Sequence, residues 1–292
     1  MKGWLIVNAF LQTQKFQRLY AYLENAANAR GVCLQCVTNQ QVWQFLQNDA
    51  NFAIRKPDFV IFWDKDVRLA ECLQHHGLRL FNSAAAVENC DDKQRTALCL
   101  QAAGLAMPET IIAPKTFDGV GYTQLSFLDF AENRLGYPFI VKEAYGSFGA
   151  QVYLVENRPQ AETLVMRLAG KPILMQKFIS ESYGRDIRVN VVGDRAVCAI
   201  FRENQADFRS NITNGGTATA IVPTKEIEDL AVAACKAVGA DFAGVDILLG
   251  KDGALVCEVN SNPHFESTFS ATGIDISQNV IDYIRGLLCT VG

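Results

Sequence analysis

Residues 242–260 read Phe-Ala-Gly-Val-Asp-Ile-Leu-Leu-Gly-Lys-Asp-Gly-Ala-Leu-Val-Cys-Glu-Val-Asn. Two apolar stretches, Phe242–Leu249 and Ala254–Val259, are joined by the turn residues Lys251-Asp252-Gly253. Successive side chains of a strand point to opposite faces. Val245 and Ile247 then face one way and Asp246 the other, while Val259 points inward and Glu258 and Asn260 share the opposite face. Paired as a hairpin, the stretches bring three oxygen-bearing side chains to one end of a sheet. A few oxygen donors suit Mg²⁺, which keeps several waters and completes its octahedron with substrate phosphates. The same pattern also fits a strand with polar residues on its wet face, so the rest of the chain must decide.

The chain has 292 residues and a net charge of −4, enough to bury a large core and to divide into two or three units. No Lys/Arg cluster or basic stripe is present, which argues against a nucleic-acid partner. Met1–Asn8 reads as a first strand, its apolar run being too short for a signal peptide or spanning helix. No later stretch approaches about 18 continuous apolar residues, so no membrane partner is expected and a cytoplasmic location is. Nine cysteines are scattered without framework spacing, as reduced buried thiols would be. Cys33-Leu34-Gln35-Cys36 lies in an expected strand rather than at a helix start, and no second pair completes a zinc site. His75-His76, before Gly77, read as surface residues at a helix end.

Residues 1–91 alternate short apolar runs (Trp4–Ala9, Val32–Thr38, Phe59–Trp63, Leu78–Phe81) with helically spaced segments such as Phe16, Leu19, Tyr20 and Leu23. That alternation predicts a parallel α/β sheet. No Gly-x-Gly-x-x-Gly follows the first strand, so a dinucleotide fingerprint is missing. Asp91-Asp92-Lys93 opens a helix to about Ala103. Strands Phe139–Lys142 and Gln151–Val155 then flank a small-residue loop, followed by a helix (Pro159–Leu168) and a strand (Ile173–Gln176). A hairpin (Ile187–Val192, Ala196–Arg202), a helix (Lys225–Val238), the acidic hairpin and a final helix (Ile276–Leu288) complete the chain. In the loop Gly146-Ser147-Phe148-Gly149, the glycines admit positive φ and let backbone N–H groups approach an anion. Most such loops are only turns, but Lys142 precedes this one on an apolar strand. A lysine there needs an anionic partner or must reach water.

In order, Asp92-Lys93, Val141-Lys142 with the Gly146–Gly149 loop, Gln176-Lys177-Phe178-Ile179, Gly184-Arg185-Asp186-Ile187-Arg188, Phe208-Arg209-Ser210-Asn211, Asp246 and Glu258-Val259-Asn260 resemble the ATP-grasp superfamily. The closest likeness is to its RimK-like carboxylate–amine ligases, and the tail Thr272–Ile276 also resembles theirs. The resemblance implies an N-terminal parallel α/β domain (1–91), a central ATP-grasp lid domain with a connecting helix (92–176) and a C-terminal domain with an antiparallel sheet and a metal site (177–292). It implies that Lys93, Lys142 and the loop residues Gly146, Ser147 and Gly149 meet ATP phosphates. Gln176, Lys177, Phe178 and Ile179 would hold adenine, with Asp186 on the ribose and Arg209 and Asn211 lining the nucleotide site. Asp246, Glu258 and Asn260 would bind Mg²⁺, with Mn²⁺ as an alternative. Arg202 would stabilise an acyl-phosphate, and Arg188 and His264 would contact substrate. The opposing view of Arg202 is a strand-end surface residue, and that of His264 a satisfied loop histidine.

The implied reaction joins a carboxylate to an amine, from amino-acid or peptide substrates, with release of ADP and phosphate; homo-oligomerisation is left open. ATP is needed because a carboxylate oxygen leaves poorly until it is phosphorylated. Alternatives are phosphoryl transfer to a hydroxyl and a silent ATP-binding module. Three departures stand out. Lys177 replaces a usual Glu; Glu143 follows Lys142 where many relatives carry Pro, offering that lysine an internal partner. Ser261-Asn262-Pro263-His264-Phe265-Glu266-Ser267 replaces a small, glycine-containing stretch expected to face the acceptor.

Overall fold

The structure is a computed structural model that describes residues 1–47, 49–147, 149–211 and 215–289, with the backbone alone at 49–51. Phe148 of the small-residue loop lies outside the described residues.

Three sheets follow one another along the chain. The first contains β1 (Lys2–Val7), β2 (Cys33–Thr38), β3 (Phe59–Phe62) and β4 (Leu80–Phe81), all parallel, in the order β2-β1-β3-β4. Helices α1 (Gln14–Asn28), α2 (Asn39–Leu46), α3 (Asp49–Arg55) and α4 (Val67–His75) link and follow these strands. Every residue of β3 is buried, as expected for a parallel strand covered on both faces. α1 buries Leu19, Tyr20, Leu23, Ala26 and Ala27, a stripe at helical spacing. Thr38 and Gln41 form a capping box at the start of α2, which satisfies two backbone donors reciprocally. Cys33 and Cys36 lie in β2, and all nine cysteines are free thiols.

α6 (Lys93–Ala102) is the helix expected to open at Asp91-Asp92-Lys93, and α5 (Ala84–Asp91), which precedes it, is an addition to the sequence reading. Asp92 leaves the helix at ψ 108° and caps α6, its side chain accepting from the N–H groups of Gln94 and Arg95. A carboxylate at a helix start satisfies free donors and opposes the helix dipole.

The second sheet is antiparallel: β5 (Thr110–Ile112), β6 (Phe139–Glu143), β7 (Val152–Val155) and β8 (Ile173–Lys177), in the order β5-β8-β6-β7. α7 (Ser126–Leu135) and α8 (Arg158–Arg167) cover it. β5 and α7 are additions to the sequence reading. β5 is three residues long and none of them is fully buried, and α7 begins without a side-chain cap.

The third sheet, also antiparallel, holds β9 (Arg185–Val192), β10 (Arg195–Glu203), β11 (Thr217–Ile221), β12 (Phe242–Gly250) and β13 (Gly253–Asn260), ordered β11-β10-β9-β12-β13. α9 (Lys225–Ala237) packs on its inner face. β11 and the short α10 (Glu266–Thr272) are further additions, both poor in buried residues. α11 (Ile276–Cys289) ends the described chain, and its Ile276, Val280, Ile281 and Ile284 join the core of the first sheet with Leu5, Leu19 and Phe265. The first and third sheets therefore share a core.

Asn82 fixes the two sheets to each other. It is fully buried, donates to the carbonyls of Phe242 and Ser261 and accepts from the N–H groups of Asp241 and Phe242. Asn82→Ala would strand these backbone groups, and each buried orphan costs about 1–3 kcal/mol. The expected result is a fall in unfolding free energy of roughly 3 kcal/mol or more in urea titration, with an unchanged m-value.

Candidate active site

Where the three sheets meet lies a cleft of about 570 Å³. All the residues singled out from the sequence line it: Lys93, Lys142, Gly146, Ser147, Gly149, Gln176, Lys177, Phe178, Ile179, Asp186, Arg188, Arg202, Arg209, Asn211, Asp246, Glu258, Asn260 and His264.

Strand register builds the charged centre. In the β12–β13 hairpin Asp246 stands opposite Glu258 and Gly244 opposite Asn260; across β9, Asp246 stands opposite Arg188. Arg202 of β10 stands opposite Asp186. Directly opposed side chains of neighbouring strands interact. Arg188 grips Asp246 with Nε on Oδ1 and Nη2 on Oδ2, both at 2.7 Å. Arg202 donates from Nε to Asp186 Oδ1 at 2.7 Å and lies 3.0 Å from Asp246 Oδ2. Ser210 Oγ donates to Asp186 Oδ2 at 2.6 Å. The exposures of Arg202, Asp186 and Asp246 are 4%, 7% and 5%, so Arg202 is not a surface residue. Burial pushes the Asp246 carboxyl up, but Arg188 and Arg202 together hold it below the usual carboxylate range. Burial leaves Asp186 raised, against the pull of Arg202. Both Asp186 oxygens are engaged by Arg202 and Ser210 in this structure, so the ribose contact that the resemblance implies would have to compete with them.

The hairpin slips register between Asp246 and Ile247, pairing Ile247 with Val256. Such a bulge inserts one unpaired residue, and Cys257 joins Glu258 on the cleft wall. Strict alternation would have placed Cys257 in the core, so the sequence reading missed it. Lys142 is 7% exposed, with Nζ 3.5 Å from Cys257 Sγ. The expected internal pair with Glu143 is not what the structure shows. Adjacent strand residues face opposite ways, and Glu143 turns outward to Lys171 and Tyr153.

Cations from three parts of the chain hold the small-residue loop. Lys93 Nζ donates to Gly146 O at 3.1 Å, Arg209 Nη1 to Gly149 O at 2.7 Å, and Lys65 Nζ to Ser147 Oγ at 3.2 Å. Lys65, which also pairs with Asp91, was not found from the sequence. Gly149 has φ +73°, and a Cβ there would lie 2.6 Å from Asn211 Oδ1. Gly184 is more constrained: at φ +65° its Cβ would fall 2.2 Å from Asn204 O and 2.7 Å from Asp207 O. Gly184→Ala should therefore lose about 2–3 kcal/mol of stability in denaturant titration, since backbone carbonyls cannot yield as a side chain can.

Elsewhere in the cleft lining, Gln176 donates to Thr110 Oγ1 at 2.9 Å and the Lys177 N–H to Glu109 O at 2.8 Å. Phe178 meets Phe208 and Tyr183 edge to face. Ile140, Ile179 and Leu248 complete an apolar slot.

At the far end, His264 packs edge-on against Phe16 at 4.6 Å, and burial with Lys15 and Arg188 nearby lowers its pKa to about 4. A histidine lowered in the fold favours the folded state fully above its unfolded value of about 6.5, and that contribution falls away as pH drops toward the folded value. An NMR titration should show the His264 ring neutral at pH 6, and any acidic loss of stability linked to it should vanish in His264→Gln.

Two carboxylates and an amide, Asp246, Glu258 and Asn260, provide an oxygen donor set suited to Mg²⁺; Lys93, Lys142 and Arg209 bring cations suited to phosphate. Among the described residues there is no group of three or more His, Cys, Asp and Glu side chains placed to hold a metal, so any such site relies on the Asn260 amide and on ligand oxygens. The donor set fits on condition that Asp246 relaxes from Arg188. Among the described residues no helix is long and apolar enough to cross a membrane.

The fold is that of ATP-grasp ligases. It aligns with the D-alanine–D-alanine ligase from Bacillus anthracis complexed with ATP at a TM-score of 0.75, with 17% identity over 100% of this chain and 98% of that one. It aligns with the ATP-grasp ligase PsnB complexed with minimal precursor at a TM-score of 0.70, with 20% identity over 97% and 98%. Within that class the chain belongs to the RimK-like ATP-grasp family, whose domain pattern matches residues 90–284, and it is an ATP-dependent carboxylate–amine ligase. Similar proteins include a "Probable alpha-L-glutamate ligase" of Pseudoalteromonas translucida, 39% identical over 72% of this chain and 68% of that one. Another, of Shewanella frigidimarina, is 32% identical over 90% of each. The "Ribosomal protein bS6--L-glutamate ligase" of Escherichia fergusonii is 36% identical over 70% of this chain and 66% of that one.

Proposed function

We propose that this enzyme joins the carboxylate of an amino acid or peptide to the amine of an amino acid of the glutamate class, using MgATP and an acyl-phosphate. The observation that carries this is the Arg202–Asp186 and Arg188–Asp246 network set beside Glu258 and Asn260, in one cleft with Lys142 and a cation-held loop. The names of the relatives, which are glutamate ligases, support the substrate class.

In this reading Ile140, Phe178, Ile179 and Leu248 receive the adenine ring, and Lys93, Lys142 and the loop N–H groups face the phosphates. Asp246, Glu258 and Asn260 would hold Mg²⁺, which supplies charge neutralisation to the triphosphate when bound. The substrate carboxylate oxygen attacks the γ-phosphorus, the bond to the β-phosphate oxygen breaks and ADP leaves. The amine then attacks the acyl carbon, loses its proton, and the carbon–oxygen bond breaks to release phosphate. Arg202 and Arg188 place fixed positive charge where oxygens gain negative charge, at no reorganisation cost during reaction. The loop, drawn down by Lys65, Lys93 and Arg209, keeps water from the acyl-phosphate. Residues 1–91, 92–176 and 177–292 act as three units around this cleft, and the location is cytoplasmic.

The test follows ADP release with candidate carboxylates and amines, singly and together, with mass spectrometry of products. MgATP should raise Tm in proportion to the logarithm of its concentration above Kd, and ADP release should require both substrates. A phosphorylated hydroxyl product, or no Tm shift at millimolar MgATP, would overturn the reading.

A further inference from the structure

The first sheet has a switch point in its strand order. Strands β1 and β3 lie side by side with their neighbours β2 and β4 on opposite flanks, and in such sheets ligands bind in the crevice beyond the carboxyl ends at that point. The residues leaving those ends are Asn8 after β1 and Trp63-Asp64 after β3, and all three line the cleft. Asp64 is 4% exposed. Its Oδ1 accepts from Asn8 Nδ2 at 3.1 Å and from the Lys65 N–H at 2.7 Å. Its Oδ2 is buried and has no hydrogen-bond partner among the described residues, and no ion pair there includes Asp64. Oδ1 thus holds the loop together, while Oδ2 makes no hydrogen bond of ordinary geometry, although the nearby Asn39 side chain also favours the charged carboxylate.

A buried carboxylate oxygen without a donor is costly, and such groups need explaining. Trp63, stacked on Phe242 at 5.3 Å, and Tyr20 make the surrounding wall apolar and rigid. A cation would be favoured beside such rings, and a compact cation with several N–H donors is the chemistry that a buried carboxylate oxygen lacking a donor would take once a small side-chain turn brings it to the cleft that Asp64 lines. Lys15 and Arg188 give the neighbouring wall positive charge, which suits a carboxylate there rather than beside Asp64.

We propose that Asp64, fixed by Asn8, binds the primary ammonium of the amino-acid or peptide substrate at the first-sheet end of the cleft. This rests on the ligase reading above. The ammonium could belong to the acceptor amine or to the donor's own amino group.

Asp64→Asn tests this, because its Oδ1 can keep both structural hydrogen bonds. ADP release is measured with each of the twenty L-amino acids, alone and with N-acetyl-L-glutamate as a donor without an ammonium, beside MgATP affinity and Tm. A charge-assisted hydrogen bond lost here should raise the amino-acid KM by about tenfold or more, with MgATP affinity unchanged and Tm at or above that of the parent. A rise that persists with N-acetyl-L-glutamate as donor places the acceptor's ammonium at Asp64; a rise that disappears with it places the donor's. An unmoved KM in both arms, or a lowered Tm, overturns the subsite alone. A parent enzyme that releases ADP in no combination overturns the ligase reading and the subsite with it.

Discussion

Glu258→Gln should fold with the parent's Tm and lose turnover by about a hundredfold or more, as expected on the proposal that its charge holds the metal beside the reacting phosphates. Glu258 sits on the cleft face of β13 and takes part in no ion pair among the described residues. Folding therefore does not depend on its charge. One residue further along the strand the expectation reverses. Val259 is fully buried in the core beneath the third sheet, so Val259→Asp buries an unpaired charge and should abolish the folded state. Circular dichroism melts and single-turnover assays on the two variants decide the matter. Near-normal turnover in Glu258→Gln would remove it from the site, and a stable Val259→Asp would contradict the register.

Arg202→Ala should lose both activity and stability. From the sequence alone, this substitution is expected to spare MgATP binding and to affect turnover. The structure changes that expectation, because Arg202 lies between two buried aspartates, Asp186 and Asp246. Breaking a buried pair by removing one partner typically costs about 3–5 kcal/mol, equivalent to a Tm fall on the order of 10 °C for a protein of this size. The loss should also depend on pH. Burial already raises Asp186 above its ordinary value despite Arg202, and without the guanidinium its protonated form gains further. The Tm deficit should therefore shrink as pH is lowered from 7 to 5. In the parent, Asp246 is held below its usual range by two arginines, so its contribution is present above about pH 4 and is lost only as pH falls through the folded value. Arg202→Lys should recover part of the stability and little of the turnover, since an ammonium cannot bridge two carboxylates bidentately. A Tm within a degree or two of the parent's in Arg202→Ala would show that the network does not hold the site.

The strands and helices that bury continuous or periodic apolar stripes were legible in the sequence. β1, β3, α9 and the β12–β13 hairpin fall within a residue or two of their expected bounds, and α1 includes the helically spaced Phe16, Leu19, Tyr20 and Leu23, because burying those side chains leaves one register open. β5, α7, β11 and α10 were not, since they carry few buried residues and depend on their neighbours for their conformation. The site divides in the same way. Asp246, Glu258 and Asn260 share a face by simple alternation, and the ordered motifs brought the other cleft-lining residues into view. The bulge that turns Cys257 to the cleft depends on the hairpin's own register, and the reach of Lys65 to the loop on a contact between segments far apart in the chain, whereas the outward turn of Glu143 follows from strand alternation and was overlooked.

What the sequence by itself determined is the class of fold and the set of residues that meet in one cleft, since alternation and motif order are local properties. What only the tertiary structure decided is how those charges are paired. Arg188 and Arg202 acquire Asp246 and Asp186 through the registry of three adjacent strands, β10, β9 and β12, and Asp64 keeps an oxygen without an ordinary hydrogen bond at the junction of β1 and β3. Such pairings arise from through-space contact in a medium of low dielectric, where a shift of one residue in register would exchange every partner.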